Sequence, residues 1–503
     1  MIASLAGIAA PALAQPAPAD QPQPPPADPA QPTPGEQPAP TAPVVTPGPE
    51  APPQPAEAKL QPDEKAPDEP KKDEKPKGKT VTSKWDLSLY GFVETDAIWD
   101  STSGLGDLRG NAAIAKPHTF AGQHPQLQFS PRNSRIGVKA AAPEYKGIKA
   151  SAQLEMDFLG NQPGSAPFVN STSESSFFQN GTFRSRHLFG KIETPYVDLL
   201  FGQTWHLFGW QTYFQPATVE IQGVPGEVYS RVPQFKISKV IKSDAVNVEA
   251  AVAATRPFAR ADFLPDVEAG IKLMINNWKG YHSAGSTSSA VGPAAIGVSG
   301  LLRRLDVNEF SAAPKTVNSA TGWGFSIDAL IPIVSPKSAK DRDNALTLTG
   351  SFVTGSGDAD LYQSLSGGVS NAALPNPQML PTAPVYTPNF DNGIAEYDAM
   401  GKLHTVDWQS FIVGLQYYIP GNVAWLSVNY SHVSSGNAKD LGAAAKVWDK
   451  EDWYDANLFF DITPAWRMGV EYSLTQQTYV DDTADKADKP KDSRIQVSGF
   501  FIF

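Results

Sequence analysis

Hydrophobic and polar residues alternate along residues 491–503, the last stretch of the chain. Side chains of an extended strand point alternately to its two faces, so this stretch would have one apolar and one polar face. The apolar face would carry Ile495, Val497, Gly499, Phe501 and Phe503, and the polar face Arg494, Gln496 and Ser498. A strand with lipid on one side and a wet lumen on the other has this pattern. The stretch therefore predicts the closing strand of a membrane β-barrel.

The same alternation begins after Trp85 and recurs in further segments up to the carboxyl end. Together they give about sixteen strands, an even number, as single-chain bacterial barrels require. The predicted fold class is an all-β, transmembrane, antiparallel β-barrel over residues 84–503. The predicted strands are 86–98, 134–142, 147–158, 183–194, 196–203, 232–241, 244–254, 264–276, 294–306, 321–334, 343–354, 407–420, 422–433, 451–462, 465–480 and 491–503.

Short and long connections alternate between these strands, which is the asymmetry between the periplasmic and extracellular ends of such barrels. The connection 277–293 breaks this order, because it is long where a short turn is expected. A Lys or Arg on the lipid face costs roughly 2–4 kcal/mol at mid-membrane, so basic residues opposite the apolar set should face the lumen. These residues are Arg135, Lys149, Lys272, Arg467 and Arg494. Aromatic girdles would draw on Tyr90, Trp323, Tyr417, Trp425, Tyr454, Trp466 and Tyr472.

The chain begins with two segments of different composition. Residues 1–14 are typical of the end of a secretory signal peptide, with Ala12-Leu13-Ala14 as a cleavage site before Gln15; the alternative is an Ala-rich terminus. Residues 15–79 are rich in Pro, Ala and Lys, and predict a disordered periplasmic tether, because proline at this density blocks helices and sheet ladders. The lysines of the tether could touch peptidoglycan, and the alternative is a solvated linker without a partner.

Composition narrows the function further. The net charge of -11 argues against nucleic acid as a partner. The chain has no cysteine, and no metal or cofactor motif has a recognisable spacing. No stretch approaches the roughly 20 apolar residues that a spanning helix needs.

A barrel of about sixteen strands is too wide to be filled by its own side chains and leaves an aqueous channel. Its selectivity would depend on a constriction and the charges around it. The loop 204–231 is the predicted constriction, because its many aromatic residues favour folding against the inner wall, and it also carries Glu220 and Glu227. The alternative is a surface flap or a contact between subunits.

An arginine set is predicted to face this loop: Arg132, Arg135, Arg184, Arg186 and Arg231. Guanidinium groups stay charged and bind carboxylates in a bidentate manner, so these arginines would attract small organic anions. In the alternative interpretation they pair with wall carboxylates such as Glu155 and Asp157, and only stabilise the barrel. Both interpretations remain open at this point.

Short motifs resemble the DcaP-like porins, trimeric outer-membrane proteins of Gram-negative bacteria. They are Tyr90-Gly91-Phe92-Val93, Ser134-Arg135-Ile136-Gly137 and Leu200-Phe201-Gly202-Gln203-Thr204-Trp205. The resemblance covers residues 84–503 and implies a homotrimer that lies among outer-membrane lipid and lipopolysaccharide. It also implies passage of small organic anions such as dicarboxylates. Of the arginines that form the constriction in the family, the resemblance assigns one to this chain, Arg135. The proline-rich tether departs from the helical, coiled-coil-like N-terminal segment associated with the family.

Three other functions are alternatives to a selective channel. A general, weakly selective porin or a sugar-type porin would have the same alternation. An outer-membrane barrel enzyme would need a nucleophile with a base, and the chain has no Gly-x-Ser-x-Gly elbow. A structural barrel that anchors the cell wall would need no open pore.

Overall fold

The computed structural model describes residues 85–160, 181–220, 224–258, 263–311, 313–338, 340–362, 365, 391, 393–398, 400–441, 448–479 and 489–503. The predicted signal segment 1–14 and tether 15–79 lie outside these described residues. Among the described residues, no helix is both long enough and apolar enough to cross a membrane.

Almost all regular structure is β-strand. In chain order the strands are β1 Asp86–Asp100, β2 Gln126–Ser130, β3 Arg135–Ala141, β4 Lys149–Asp157, β5 Arg184–Glu193, β6 Asp198–Trp205, β7 Arg231–Ile241, β8 Val246–Thr255, β9 Asp266–Ala284, β10 Ser288–Asn308, β11 Val317–Val334, β12 Leu346–Ser356, β13 Ala395–Tyr397, β14 Leu403–Thr405, β15 Asp407–Tyr418, β16 Ala424–Ser435, β17 Trp448–Thr463, β18 Trp466–Tyr479 and β19 Lys491–Ile502. Within the described ranges, the loops contain one short helix, Phe120–Gln123, and three 3-10 turns, Phe208–Trp210, Ala359–Leu361 and Ala438–Asp440.

The wall is a closed antiparallel barrel of sixteen strands, as predicted. β2 and β3 together fill one position, since both pair with β1. β13 and β14 form a separate two-stranded hairpin. Closure comes from β1, which pairs with β3 on one edge and with β19 on the other.

The closing seam ends on a reciprocal pair of backbone hydrogen bonds. The Gly91 N–H donates to the Phe503 carbonyl at 2.9 Å, and the Phe503 N–H donates to the Gly91 carbonyl at 3.0 Å. A Cβ at position 91 would lie 2.2 Å from the Arg135 carbonyl oxygen. The close approach of three backbones therefore explains why the residue here is a glycine.

The predicted inward and outward faces match the observed burial. Leu154 and Val497 on the outer face are 39% exposed, whereas Arg494 on the inner face is fully buried. Arg467 and Lys272 are also buried, at 6% and 8% exposure, whereas Lys149 is exposed at the first position of β4. The outer face is therefore apolar and the inner face polar.

Two of the predicted girdle aromatics are wrong. The Tyr90 hydroxyl donates to Glu155 at 2.9 Å inside the barrel. Trp425 is fully buried and stacks on Phe459 at 4.0 Å between ring centroids. Both residues have the inward parity of their strands, so the wall turns them to the lumen and away from lipid.

The predicted connection 277–293 is also wrong. β9 continues to Ala284 and β10 starts at Ser288, so most of this segment is paired strand. Its sequence is mostly Ser, Gly, Ala and Thr, which gives no contrast between two faces. The true turn is short, as the alternation of long and short connections requires.

Candidate functional site

The loop 206–230, described except for residues 221–223, leaves β6 and enters the lumen. Its first turn is held by Glu268 of β9. One oxygen of that carboxylate accepts the N–H groups of Leu207 and Phe208 at 2.7 and 2.9 Å, and the other contacts Nδ1 of His206 at 2.5 Å. A buried carboxylate that accepts backbone N–H groups fixes the loop where it departs from the wall.

The middle of the loop reaches strands on the other side of the barrel. The Val219 N–H donates to Asn457 Oδ1 of β17, and the Glu220 N–H donates to Glu471 Oε2 of β18, both at 2.8 Å. Val219 is fully buried and packs in one cluster with Trp425. β17 and β18 lie on the side of the barrel opposite β6 and β7, so this part of the loop crosses the lumen.

The returning part of the loop contacts the end of the barrel that carries the long loops. The Gly226 N–H donates to Asn111 Oδ1 at 2.9 Å, and the Tyr229 N–H donates to the Leu361 carbonyl at 2.8 Å. Gly226 has φ of +80°, and a Cβ there would lie 2.6 Å from Val433. The loop is therefore seated against the wall and the outer loops together.

The structure brings four of the predicted arginines together from the alternate strands β3, β5 and β7, and several of them bind carboxylates. Arg184 binds Asp157 through two bonds of 3.0 and 2.6 Å. Arg186 contacts Glu155 at 2.7 Å and Asp157 at 2.9 Å. Arg135 lies 3.5 Å from Glu155. The interpretation that these arginines pair with wall carboxylates therefore describes part of the set.

The fourth arginine of this cluster, Arg231, stacks on an aromatic ring. Its guanidinium lies 4.7 Å from the Trp205 ring centroid and 5.8 Å from that of Tyr229. Its Nη1 has no hydrogen-bond partner among the described residues. Four guanidinium groups thus face the two carboxylates Glu155 and Asp157, which leaves an excess of positive charge.

Tyr229 responds to this excess charge. Burial alone would raise the pKa of its hydroxyl, yet the guanidinium groups of Arg186 and Arg231 lower the pKa below its ordinary value. The Arg186 guanidinium also donates to the Tyr229 hydroxyl at 3.4 Å. The region between β5, β7 and the loop is therefore electropositive.

Three predicted site residues lie elsewhere. Arg132 is buried 3.5 Å from Asp107 of the first long loop. Glu220 forms an ion pair of 3.2 Å with Arg494. Glu227 accepts the Val224 N–H at 3.1 Å within its own loop, and burial raises the pKa of Glu227 to about 8. The two loop carboxylates therefore do not contact the arginine cluster.

Two of the cavities lined by described residues lie between the wall and the first half of the loop. One has a volume of about 480 Å³ and is lined by Arg135, Arg186, Tyr229 and Gln215, among others. The other has a volume of about 440 Å³, with Lys236, Lys272 and Glu249 in its lining. Both cavities also share lining residues: Trp205, Thr212, Ala284 and Ser288.

Sequence reasoning missed Lys139 and Lys236 as lining residues of these cavities. The signal for Lys236 was present, because it alternates with Phe235 and Ile237, which are exposed on the outer face. The hairpin that contributes Ala284 and Ser288 had no such signal.

The architecture is similar to that of solved outer-membrane channels. The outer membrane channel DcaP of Acinetobacter baumannii matches 83% of this chain and 97% of that chain, with a TM-score of 0.58 and 19% identity. An anion-selective porin from Comamonas acidovorans covers 83% and 100%, with a TM-score of 0.45 and 10% identity. OprB of Pseudomonas putida covers 83% and 94%, again with a TM-score of 0.45 and 10% identity. No protein-family model and no curated protein matches the sequence.

The closed sixteen-stranded wall is the fold of an outer-membrane β-barrel of the porin class. Within that class, the chain has the fold of the DcaP channel. The fold implied by the sequence motifs is thereby confirmed.

Proposed function

We propose that this protein is an outer-membrane porin of the DcaP-like family, a passive diffusion channel for small hydrophilic solutes that prefers small organic anions such as dicarboxylates. The observation behind the proposal is the excess of guanidinium groups beside a cavity of about 480 Å³. Arg231 keeps a nitrogen without a hydrogen-bond partner among the described residues. Arg135 and Arg186 line this cavity, so a carboxylate that passes there would meet guanidinium groups, which bind carboxylates in a bidentate manner.

The constriction in this proposal is formed by loop 206–230 and the wall. Both cavities touch Trp205 of the wall and Thr212 of the loop, so a solute that moves between them passes these two residues. The pore is thereby confined to the side of the barrel with the basic residues. On the other side, the loop packs tightly on Trp425 and Phe459, which are fully buried.

The proposal extends to the cellular setting. The barrel would form a homotrimer in the outer membrane, in contact with lipid and lipopolysaccharide. Residues 1–14 would belong to a signal peptide, and the tether 15–79 would lie in the periplasm, where it could meet peptidoglycan. The short turns of bacterial barrels face the periplasm and the long loops face outward.

A weakly selective general porin is the second candidate. Glu155 and Asp157 neutralise part of the arginine cluster, because Arg184 and Arg186 bind them at 2.6 to 3.0 Å. A pore with compensated charge discriminates solutes by size more than by sign.

Planar bilayer recordings test the proposal. Purified, refolded protein should give stepwise currents, and its reversal potential in a salt gradient should show a preference for anions. Arg231→Gln should reduce this preference, because it removes a guanidinium that binds no carboxylate in the described part of the chain. Arg304→Gln is the matched control, since Arg304 is 42% exposed and pairs with Asp306.

The possible results are distinct. The absence of stepwise current would refute the channel. A conducting protein without anion preference would favour the general porin. An equal effect of Arg231→Gln and Arg304→Gln would refute the role of the arginine cluster.

A further inference from the structure

β9 and β10 extend past both of their neighbours at the end of the barrel that carries the short turns. Pairing of β8 with β9 ends at Val246 and Ile275, and pairing of β10 with β11 ends at Ala295 and Leu330. Beyond that point β9 and β10 continue to pair with each other, from Lys279 with Pro293 to Ala284 with Ser288. We call residues 279–293 the arm.

The base of the arm is bent and fixed. The register shifts at Pro293, where β9 carries the extra residues 276–278, and an unequal bulge bends a strand pair. The Asn276 side chain donates to the Ser243 carbonyl at 2.7 Å, and Trp278 Nε1 donates to the Pro332 carbonyl at 2.6 Å. The turn between β7 and β8 and the last residues of β11 therefore hold the point where the arm leaves the wall.

The tip of the arm is inside the barrel. Ser283 is fully buried, and Ser286 is 3% exposed, whereas a hairpin that projected into water would expose its tip. Gln416 of β15 makes two bonds to the arm, because it accepts the Ser283 N–H and donates to the Ser283 carbonyl, each at 2.9 Å. The Ser283 hydroxyl also lies 2.9 Å from the Tyr418 hydroxyl.

Contacts with two further elements show that the tip reaches across the lumen. Arg467 of β18 donates to the Ser286 carbonyl at 2.5 Å and to the Ser289 hydroxyl at 3.3 Å. The Gly285 N–H donates to the Pro216 carbonyl at 3.2 Å, so the arm meets loop 206–230. Gly285 has φ of +70°, which suits the tight turn that directs this N–H at the loop.

The arm forms one side of both cavities. Ser286 and Thr287 line the larger cavity opposite Arg135 and Arg186. Ser289 and Ala290 line the other, together with Lys236 and Lys272, and Ser288 lines both. The basic charge from Lys and Arg thus comes from the wall, whereas the arm presents mainly small hydroxyl and methyl groups, together with the imidazole of His282 in the cavity of about 440 Å³.

We propose that the arm is a second constriction of the pore, at its periplasmic end, and that it sets the largest solute that can pass. The inference rests on the proposed channel function. Most arm residues that line the cavities are Ser, Thr, Gly or Ala, which carry no charge, so the arm restricts solutes mainly by size, whereas the wall arginines and lysines act on their charge. Arg467 is one of the residues that hold the arm in place, together with Gln416 and Tyr418.

A thiol can test whether the arm lines the conducting path. The chain has no cysteine, so Ser288→Cys introduces a unique reactive group. Treatment with sulfonatoethyl methanethiosulfonate should reduce the single-channel current at least about twofold, because it adds bulk where the path is narrow. Ser338→Cys, in the exposed turn between β11 and β12, is the matched control and should leave the current unchanged. Unchanged current in the Ser288→Cys channel would overturn the proposal.

Shortening the arm tests its role in size exclusion. Replacing residues 280–292 with Asn-Gly keeps a two-residue hairpin turn between Lys279 and Pro293. Conductance should rise more than about twofold, and liposome swelling should admit larger neutral sugars. Arg467→Gln should move both quantities in the same direction, whereas Arg304→Gln should move neither. Heat-dependent electrophoretic mobility confirms that each variant has folded.

The outcomes separate the two proposals. A wild-type protein without stepwise current overturns the channel, and the arm constriction with it. A conducting wild type whose shortened form keeps the same conductance and the same size limit overturns the arm constriction alone.

Discussion

The Nε of Arg186 lies 2.7 Å from Oε1 of Glu155, inside the barrel, and both side chains are buried. Glu155 also lies 3.5 Å from Arg135, so one carboxylate compensates two guanidinium groups. Within the proposed pore, the Glu155 carboxylate therefore reduces the local positive charge.

Glu155→Gln should increase the preference for anions. The substitution keeps the shape and one acceptor oxygen, but it removes the charge that Arg135 and Arg186 share. The reversal potential in a salt gradient should shift further toward the anion value. The barrel should also lose stability, by about 1.5–3 kcal/mol, since hydrogen bonds to charged groups contribute on that scale. A shift toward cations would contradict this account of the cluster.

The opposite faces of β4 allow a matched test of the membrane orientation. Leu154 is 39% exposed on the outer face, and the neighbouring Gln153 lines the larger cavity. Leu154→Arg should cost roughly 2–4 kcal/mol of unfolding free energy in lipid vesicles, whereas Gln153→Arg should cost less than about 1 kcal/mol. Equal costs in urea titrations would mean that the two faces had been assigned wrongly.

Glu227 gives a pH dependence with a defined sign. Burial raises its pKa to about 8, above the value in the unfolded chain. The protonated form suits the fold, so stability is full below the unfolded pKa of about 4.3 and falls as pH rises toward about 8. The slope is at most about 1.4 kcal/mol for each pH unit.

Glu227→Gln should remove this slope. Unfolding free energies of the wild type and the variant, measured by urea titration in vesicles, should converge at pH 4 and diverge by pH 9. Groups that contact or influence Glu227 are the Val224 N–H and Asp328. Parallel pH profiles for the two proteins would show that Glu227 is not the group responsible.

The geometry of the closing seam predicts that alanine substitutions at two glycines differ strongly in their effect on stability. Gly91→Ala would place a methyl group 2.2 Å from the Arg135 carbonyl, so the backbone must move. The expected loss exceeds about 2 kcal/mol, or the barrel fails to close. Gly499→Ala is the control, because nothing lies within 4 Å of its added Cβ. This control should stay within about 0.5 kcal/mol of the wild type. Equal stability of both variants would disprove the steric argument.

The wall was predictable from the sequence, because each strand separates lipid from water and therefore alternates visibly. Leu154 against Gln153, and Val497 against Gln496, are sufficient to fix the register of their strands. The same parity already placed Tyr90 and Trp425 inward, and the girdle interpretation failed because it used residue type in place of parity.

The interior was less predictable, because the elements inside the lumen have no lipid on either side. The arm consists mostly of Ser, Gly, Ala and Thr, so periodicity cannot distinguish it from a loop. Glu220 and Glu227 belong to the correct loop, but their partners depend on how that loop crosses the lumen. Glu220 pairs with Arg494, and Glu227 accepts the Val224 N–H, and only the folded chain reveals these partners.

The seam between Gly91 and Phe503 also has a bearing on how the protein is made. The two strands that it joins are separated by nearly the whole barrel sequence, so their pairing is the longest-range event in folding. Until that event, β1 and β19 each present an unpaired edge that can add strands from other chains. A cell that makes this protein must therefore keep unfinished copies apart until the last strand has reached the first.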